Sequence, residues 1–581
     1  MKSVLIANRG EIAVRVIRAA KDLGLRTVAV YSELDRDAVH VDLADEAWNV
    51  GPAPSAESYL NVERILRIAR ESAAEAVHPG YGFLAENAGF ARAVERAGLV
   101  WVGPPADAIA TMGDKIASRV AAASAGVPAV PGTTDPVGDV SEVRAFADEH
   151  GFPIAIKAAH GGGGKGLKVV RRPEDLDAAF ESAAREAEAW FASPEVYIER
   201  YLDHPRHIEA QIIFDMHGNG VFLGERDCSL QRRHQKLVEE TPAPGFTREQ
   251  RVELERSALA VAKAAGYVNA GTVEFLMDSG GDLYFLEMNT RIQVEHTVTE
   301  EATGLDLVAE QLRVAAGEKL SFASAQSRGH AFEFRINAED PAAGFLPTPG
   351  QLSTYREPAG PGIRVDSGVR QGARISQYYD NLIAKLVVKG RDRDEAIRRS
   401  RRALAEFQIA GVETTIPAHL RILDNEDFRA GKVHTRLVED EMDFSDVPKG
   451  QAPAVPEDEE LQERAITVEV GGRRFEVKYW SQVIAPTSSG QRPAPRRKAP
   501  KLGNSQSIGT EEGLVVAPMQ GTIVKVHHAA GDSVRAGEPV CVLEAMKMEN
   551  EIKSPADGEI VDLRVQPGDT VSSGAVLMIV K

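Results

Sequence analysis

The sequence predicts a large, multi-domain α/β body followed by a small all-β sandwich, and three observations carry that prediction. Residues 3–32 read strand, helix, strand. Strand and helix signals then alternate to about residue 445. Toward the C-terminus, paired glycines and prolines recur at one fixed spacing, which implies a duplicated half-domain.

At 581 residues the chain is long enough for several domains. Its 43% apolar and 27% charged content is ordinary for a soluble globular protein. The net charge of -18 argues against wrapping nucleic acid or coating an anionic membrane. Two cysteines, Cys228 and Cys541, rule out a disulfide scaffold and fit a reducing, cytoplasmic setting. The opening MKSVLIANRGE is too short in apolar residues for a signal peptide. No later stretch approaches the ~18 apolar residues of a membrane span.

The elements follow in order. SVLIA (3–7) reads as a buried strand, and residues 10–24 as an amphipathic helix closed by Gly24. LRTVAVYS (25–32) is a second strand with Asp35 just beyond it. The turn between strand and helix is NRGE rather than G-x-G-x-x-G, which argues against a dinucleotide site. PIAIKAA (153–159) and GLKVVR (166–171) read as strands flanking HGGGGKG (160–166). That loop lacks the Ser or Thr of a P-loop and leads into a strand. It is therefore expected to be a lid whose backbone N–H groups close over phosphates. Segments within 196–229 alternate like antiparallel strands.

TVEFLMD and DLYFLEMN (272–289) read as a hairpin around Ser279, Gly280 and Gly281. It places Glu274 and Glu287 on adjacent strands, where bare carboxylates would repel each other. With the Asn289 amide they offer hard oxygen ligands for magnesium. MNTRIQVEH (288–296) follows. Read as an alternating strand, it puts Arg291, Gln293 and Glu295 on one face. An arginine, an amide and a carboxylate together suit a small planar anion that must also lose a proton.

Residues 451–460 form an acidic breaker, and 466–480 read as a hairpin around Gly471 and Gly472. Residues 484–513 are rich in Pro, Ala, Ser and Gly and read as a solvated tether, including their basic centre at Arg496, Arg497 and Lys498. Then comes the repeat. Pro518 and Pro555, Gly521 and Gly558, Gly531 and Gly568, and Gly537 and Gly574 each stand 37 residues apart. EAMKMEN (544–550) joins the two halves and puts Lys547 at the turn between them.

A quasi-symmetric β-sandwich presenting a lysine within Ala-Met-Lys-Met (545–548) resembles the biotinyl/lipoyl carrier domain. The resemblance implies biotin attached covalently to Lys547 by a biotin protein ligase. The loop at 160–166, with Lys157 upstream, looks like the ATP-grasp fold. From residue 3 to about 440 the chain resembles biotin carboxylase. The motifs are ANRGEIA (7–13), HPGYGFLAEN (78–87), MGDK (112–115), ERDCSLQRRHQKLVEE (225–240), EMNTRIQVEH (287–296) and FRINAEDP (334–341).

That resemblance implies ATP contacts at Lys115, Lys157, His207, Gln231 and His234, at the lid glycines Gly162, Gly163 and Gly164, and on the adenine-side segment of Glu199. It implies Mg2+ (or Mn2+) at Glu274, Glu287 and Asn289. Bicarbonate and phosphate chemistry falls to Lys236, Arg291, Gln293 and Glu295, with Glu295 as the base. Arg335 is implied to steady the ureido oxyanion of biotin. The expected domains are 1–112 (a Rossmann-like N-terminal subdomain), 113–320 (the ATP-grasp region, with its lid at about 130–203) and 321–445 (a C-terminal subdomain). After them come 446–485 (a short hairpin region), 486–512 (a linker) and 513–581 (the carrier).

No carboxyltransferase domain is expected within the chain. The layout resembles the α subunit of bacterial acyl-CoA carboxylases of the acetyl-/propionyl-CoA type, associated with fatty acid biosynthesis. It implies a hetero-oligomer with a separate carboxyltransferase β subunit that carboxylates the acyl-CoA. The same chemistry fits the carboxylase-and-carrier subunit of a two-subunit pyruvate carboxylase. A non-biotin ATP-grasp ligase with a lipoyl-like carrier is a third reading, and the full set of charged site residues opposes a fourth, a non-catalytic scaffold. The 466–480 hairpin fits a reduced docking element and a hairpin packed on the carboxylase body equally well.

Overall fold

The computed structural model describes residues 1–133, 136–158, 167–191, 196–448, 461–470, 473–482, 513–518, 521–545, 548–571 and 574–581. The chain divides into two compact units, Met1–Lys449 and Gly450–Lys581. The lid glycines Gly162, Gly163 and Gly164, the tether and Lys547 lie outside the described residues.

The first unit opens with a parallel sheet in the order Glu46–Gly51, Arg26–Ser32, Ser3–Ile6, Ala76–His78, Val100–Trp101. Its central strand, SVLI, is buried along its whole length, as expected where helices cover both faces. The helix Gly10–Asp22 turns Ile12, Ala13, Val16, Ile17 and Ala20 inward, the spacing of one helical face. Arg9 precedes it in extended conformation and clamps Asp35 with Nε and Nη2 at 2.6 and 2.7 Å. Tyr59 Oη donates to the same carboxylate at 2.5 Å. Asp35, the position a dinucleotide ribose would claim, is thus consumed by an ion pair.

The centre of the unit is one eight-stranded sheet whose paired strands are all antiparallel. Its order is Leu283–Asn289, Asn269–Met277, Arg206–Phe214, Gly220–Arg232, Gln235–Thr241, His330–Asn337, Leu382–Gly390, Ile363–Ser367. The expected hairpin at 272–289 is present, with Glu274 opposite Glu287. The sheet runs on across the expected boundary at residues 320 and 321. A separate three-stranded sheet pairs Ile154–Ala158 with both Leu167–Val170 and Val196–Arg200. Val196–Arg200 therefore leaves the run of strands that the sequence pattern grouped with 206–229.

In the second unit, strands Leu461–Val470 and Arg473–Gln482 form a two-stranded hairpin, longer than 466–480. The carrier consists of two four-stranded sheets. One has the order Leu514–Val516, Val576–Val580, Gly558–Leu563, Ser533–Val534. The other has the order Met548–Lys553, Pro539–Ala545, Gly521–Val526, Thr570–Val571. Repeat-related strands occupy matching places in opposite sheets, and the short strands Ser533–Val534 and Thr570–Val571 cross into the sheet of the other half. This exchange is the quasi-twofold symmetry implied by the 37-residue spacing. Ala545 pairs with Met548 across the adjacent strands.

The duplicated glycines explain themselves. A Cβ on Gly521 would lie 2.5 Å from the Glu544 carbonyl oxygen, and one on Gly558 would lie 2.5 Å from that of Lys581. Gly531 and Gly568 share φ values of +98° and +99°, where other residues are strained. Gly521→Ala and Gly558→Ala are each expected to destabilise the carrier by about 1–3 kcal/mol, the usual cost of forcing extra atoms into a packed site. Scanning calorimetry of the full chain checks this: the carrier transition drops and that of the first unit stays put.

Candidate functional site

Four strands of the large sheet carry a cross-strand row of charge. Arg226 is opposite Glu209, Glu209 opposite Glu274, and Glu274 opposite Glu287. Glu209 and Arg226 are fully buried, and Glu274 nearly so. Buried carboxylates side by side are sustained only by cations placed between them. Lys236 is that cation. Its Nζ contacts Glu209 Oε1, Glu274 Oε1 at 3.2 Å and Glu295 Oε1 at 2.7 Å. Arg226 supports Glu209 Oε2 at 3.0 Å and also donates to Gln211 and Gln293 at 2.7 and 2.5 Å.

Glu295 is 2% exposed. Its second oxygen accepts from Arg335 Nη2 at 2.9 Å, while Arg335 Nε donates to Glu239 at 2.6 Å. Burial alone would raise the Glu295 carboxyl. Lys236, Arg335 and Arg226 outweigh it and hold the group well below the usual carboxylate range. Glu274 is likewise lowered against its burial, by Lys236 and His207. His207 Nε2 lies 2.9 Å from Glu274 Oε2, so this residue joins the carboxylate row.

The expected alternating strand through 290–295 is not formed. The strand ends at Asn289, and the chain turns into the helix His296–Thr303 with Glu295 at its N-cap position. The turn still converges the three side chains. Gln293 Nε2 donates to Glu274 at 2.6 Å, and Arg291 donates to Asn289 Oδ1 at 2.5 Å and Glu86 at 2.9 Å. The N-cap carboxylate of Glu295 caps nothing, because Lys236 and Arg335 draw it the other way.

Glu287 is exposed and, among the described residues, receives Asn289 Nδ2 at 3.2 Å. Crowding by surrounding atoms and the charge of Glu274 together raise its carboxyl. Carboxylate oxygens in register beside an amide, with repulsion only partly offset at Glu287, are a donor set that suits magnesium. One atom each of His207, Glu209 and Glu274 also lies within 4.8 Å of the others. There Glu209 is already satisfied by Lys236 and Arg226.

The remaining expected residues are dispersed. Lys157 and Glu199 pair across adjacent strands of the small sheet. Lys115 begins the helix Lys115–Ser124, which Asp114 caps through the Ile116 and Ala117 N–H groups at 3.0 and 2.8 Å. Gln231 is buried opposite Lys236. His234 sits exposed in the turn between those two strands with φ +65°. Sequence reasoning missed Glu209, Arg226, Glu239 and Glu86. No local signal marked Glu209: in HIEAQ it alternates with apolar residues as a solvent-facing glutamate would.

Comparison with known proteins gives four family matches. Residues 1–109 match "Biotin carboxylase, N-terminal domain", and 114–323 match "Carbamoyl-phosphate synthase L chain, ATP binding domain". Residues 333–440 match "Biotin carboxylase C-terminal domain", and 513–580 match "Biotin-requiring enzyme". The biotin-dependent acyl-coenzyme A carboxylase alpha3 subunit of Mycobacterium leprae is 51% identical over 590 positions, covering 100% of this chain and 98% of that protein. A pyruvate carboxylase subunit of Methanothermobacter thermautotrophicus is 51% identical over 464 positions, covering 79% and 94%. The mitochondrial methylcrotonoyl-CoA carboxylase alpha subunit of Mus musculus is 41% identical over 661 positions, covering 99% and 92%. Among solved structures, the biotin carboxylase domain of a thermophilic 2-oxoglutarate carboxylase bound to bicarbonate superposes with a TM-score of 0.72. It is 48% identical and covers 75% of this chain and 97% of that one.

A pH dependence follows from the carboxylates behind Arg335. Glu239 and Glu333 face each other in register. Burial pushes Glu239 up to about 8 and Glu333 up to about 7 from an ordinary 4.5, with Arg335 and Lys385 opposing only in part. The folded chain therefore holds protons that the unfolded chain releases. Their stabilisation is complete below the ordinary carboxylate range and is lost as pH rises through these raised values. Glu333→Gln removes one such group. Urea midpoints between about pH 5 and about pH 8 should then fall less steeply than in the wild type. An unchanged slope would mean that Glu333 is ionised throughout.

Proposed function

The chain belongs to the biotin-dependent carboxylases, and from that premise we propose that it is the α subunit of an acyl-CoA carboxylase of the acetyl-/propionyl-CoA type. It uses ATP and bicarbonate to carboxylate biotin on its own carrier, and a separate carboxyltransferase subunit passes the carboxyl group to the acyl-CoA. The observation that carries the first half is the Glu295 carboxylate, fixed between Lys236 and Arg335 beside Gln293.

Each residue has a task. Arg291 and Gln293 hold bicarbonate while Glu295, ionised beforehand, takes its proton. The freed oxygen attacks the γ-phosphate of ATP, giving carboxyphosphate and ADP. Lys236 and the N–H groups of Gly162, Gly163 and Gly164 hold the charge that develops on the transferred phosphoryl. Lys115, Lys157, Glu199, Gln231 and His234 hold the nucleotide, and His207 orients Glu274. Glu274, Glu287 and Asn289 would hold magnesium. Magnesium would shield phosphate charge, and biotin on Lys547 would supply the nitrogen that takes up CO2 as carboxyphosphate breaks to CO2 and phosphate, with that phosphate receiving the ureido proton. Arg335 places a guanidinium where an oxyanion develops on the ureido group.

Chain organisation supports the acyl-CoA acceptor. The α3 subunit of the acyl-CoA carboxylase aligns over 590 positions, little more than the length of this chain, and includes the carrier. The methylcrotonoyl-CoA relative needs 661 positions. The pyruvate carboxylase relative matches only 79% of the chain.

Two outcomes test these roles. Glu295→Ala is expected to lower bicarbonate-dependent ATP hydrolysis by at least about 10^2-fold, the low end for a lost general base, while nucleotide titration stays near wild type. Normal turnover would remove Glu295 from the base role. The biotinylated chain, isolated with its carboxyltransferase partner, is expected to fix labelled bicarbonate onto acetyl-CoA or propionyl-CoA rather than pyruvate or 3-methylcrotonyl-CoA. The Lys547→Arg chain should fix none and carry no biotin by mass spectrometry.

A further inference from the structure

We propose that His204 and His434, backed by Glu441, form a binding site for a borderline transition-metal dication such as Zn2+, separate from the magnesium ligands. The two Nδ1 atoms face each other at 3.1 Å, with the rings nearly perpendicular at 83°. Two imidazole nitrogens on one tetrahedral zinc, each about 2.0–2.1 Å from it, stand roughly 3.3 Å apart. One donor atom from each of His204, His434 and Glu441 lies within 4.8 Å of the others.

The surroundings prepare His434 for this role. The Arg436 backbone N–H points at its Nδ1 at a long 3.3 Å, which marks Nδ1 as the nitrogen with the lone pair, one the metal would take over from that N–H, and puts the proton on Nε2. Nε2 in turn lies 2.9 Å from Glu441 Oε1. A histidine whose second nitrogen donates to a carboxylate has its tautomer and ring orientation fixed for metal binding. Imidazole donors select zinc, copper or nickel over magnesium.

A plain hydrogen bond between the rings leaves one feature unexplained. His204 has φ +47°, a conformation uncommon for a residue with a side chain and one that costs free energy to hold. A backbone bond from Thr435 N–H to the Pro205 carbonyl, at 2.9 Å, pins the two segments together. The strained backbone and the pinned segments bring one imidazole against the other.

Placement gives the site a consequence. His204 lies in the link at 201–205, between Val196–Arg200 of the small sheet and Arg206–Phe214 of the large one. His434 lies beyond the helix Glu426–Arg429 near the end of the first unit. A cation shared by the two rings ties the exit of the small sheet to the C-terminal segment.

The test is calorimetric titration of the chelator-stripped full chain with ZnCl2, in buffer saturated with magnesium so that the carboxylate site is filled. Wild type is expected to take one more zinc equivalent than His204→Gly, and Glu441→Gln to bind that equivalent at least about tenfold more weakly. Glycine tolerates the positive φ, so His204→Gly removes the ligand without straining the link. If it nevertheless melts lower than wild type in chelator, His434→Gln serves for the same comparison. Co2+ in place of zinc should give a visible tetrahedral spectrum in wild type that the histidine variant lacks. Equal zinc stoichiometry and affinity in wild type and variant would overturn the proposal.

Discussion

One ammonium group, Lys236 Nζ, joins three carboxylates that arrive from separate segments of chain: Glu209, Glu274 and Glu295. Without it, two neighbouring strands would bring like charges together out of water. A buried ion removed from its partner typically costs about 3–5 kcal/mol, a large part of a domain's total stability. Arg226 and Arg335 complete the compensation from either side, on Glu209 and Glu295 respectively. Glu287, at the end of the row, has no cation beside it among the described residues. The shortage of positive charge falls where a divalent cation would bind.

The same interaction sets the chemistry. Glu295 is held ionised by two cations that are also the groups an anionic substrate would attract. A carboxylate so lowered is a weak base, poorly suited to removing a proton while both cations remain on it. Phosphate oxygens bound nearby would compete for Lys236 and loosen its hold on Glu295. On the proposed mechanism, basicity would then rise only when the nucleotide is in place, which would couple proton removal to the presence of the phosphoryl acceptor.

Much of this was legible in the chain. The 37-residue spacing implied the exchange-symmetric sandwich because glycine is required at the same points of each half. At Gly521 and Gly558 a side chain would meet a carbonyl oxygen, and that need leaves a mark in the sequence. That Glu274 and Glu287 sit on adjacent strands was legible from the hairpin, though their direct opposition depends on a bulge between Glu274 and Phe275. Two things were not. Periodicity extended the strand past Asn289 because Arg291, Gln293 and Glu295 alternate with apolar residues. The chain instead turns at Thr290, where Glu86 takes the backbone N–H at 3.0 Å, a contact with residues far away in sequence. Arg226 and Glu209 looked like ordinary alternating polar positions. Their burial depends on which strands become neighbours, and local pattern does not encode that.

The NRGE turn, which lacks the glycines of a nucleotide loop, has its explanation in the same charge logic. Glu11 begins the N-terminal helix and is buried, with Lys385 Nζ at 3.2 Å. Lys385 is itself fully buried and donates to the Val294 carbonyl at 2.9 Å. Val294 precedes Glu295, so the lysine grips the backbone of the turn that carries the proposed base. Lys385 also lies opposite Arg335 in the sheet. A helix start in the first sheet, a strand of the large sheet and the turn at Glu295 are thereby joined through two buried ionic groups. Hydrophobic packing of the same surfaces would stabilise them as well, but it tolerates sliding. A charge that must meet one carbonyl and one carboxylate does not, and that demand accounts for a buried lysine at this position.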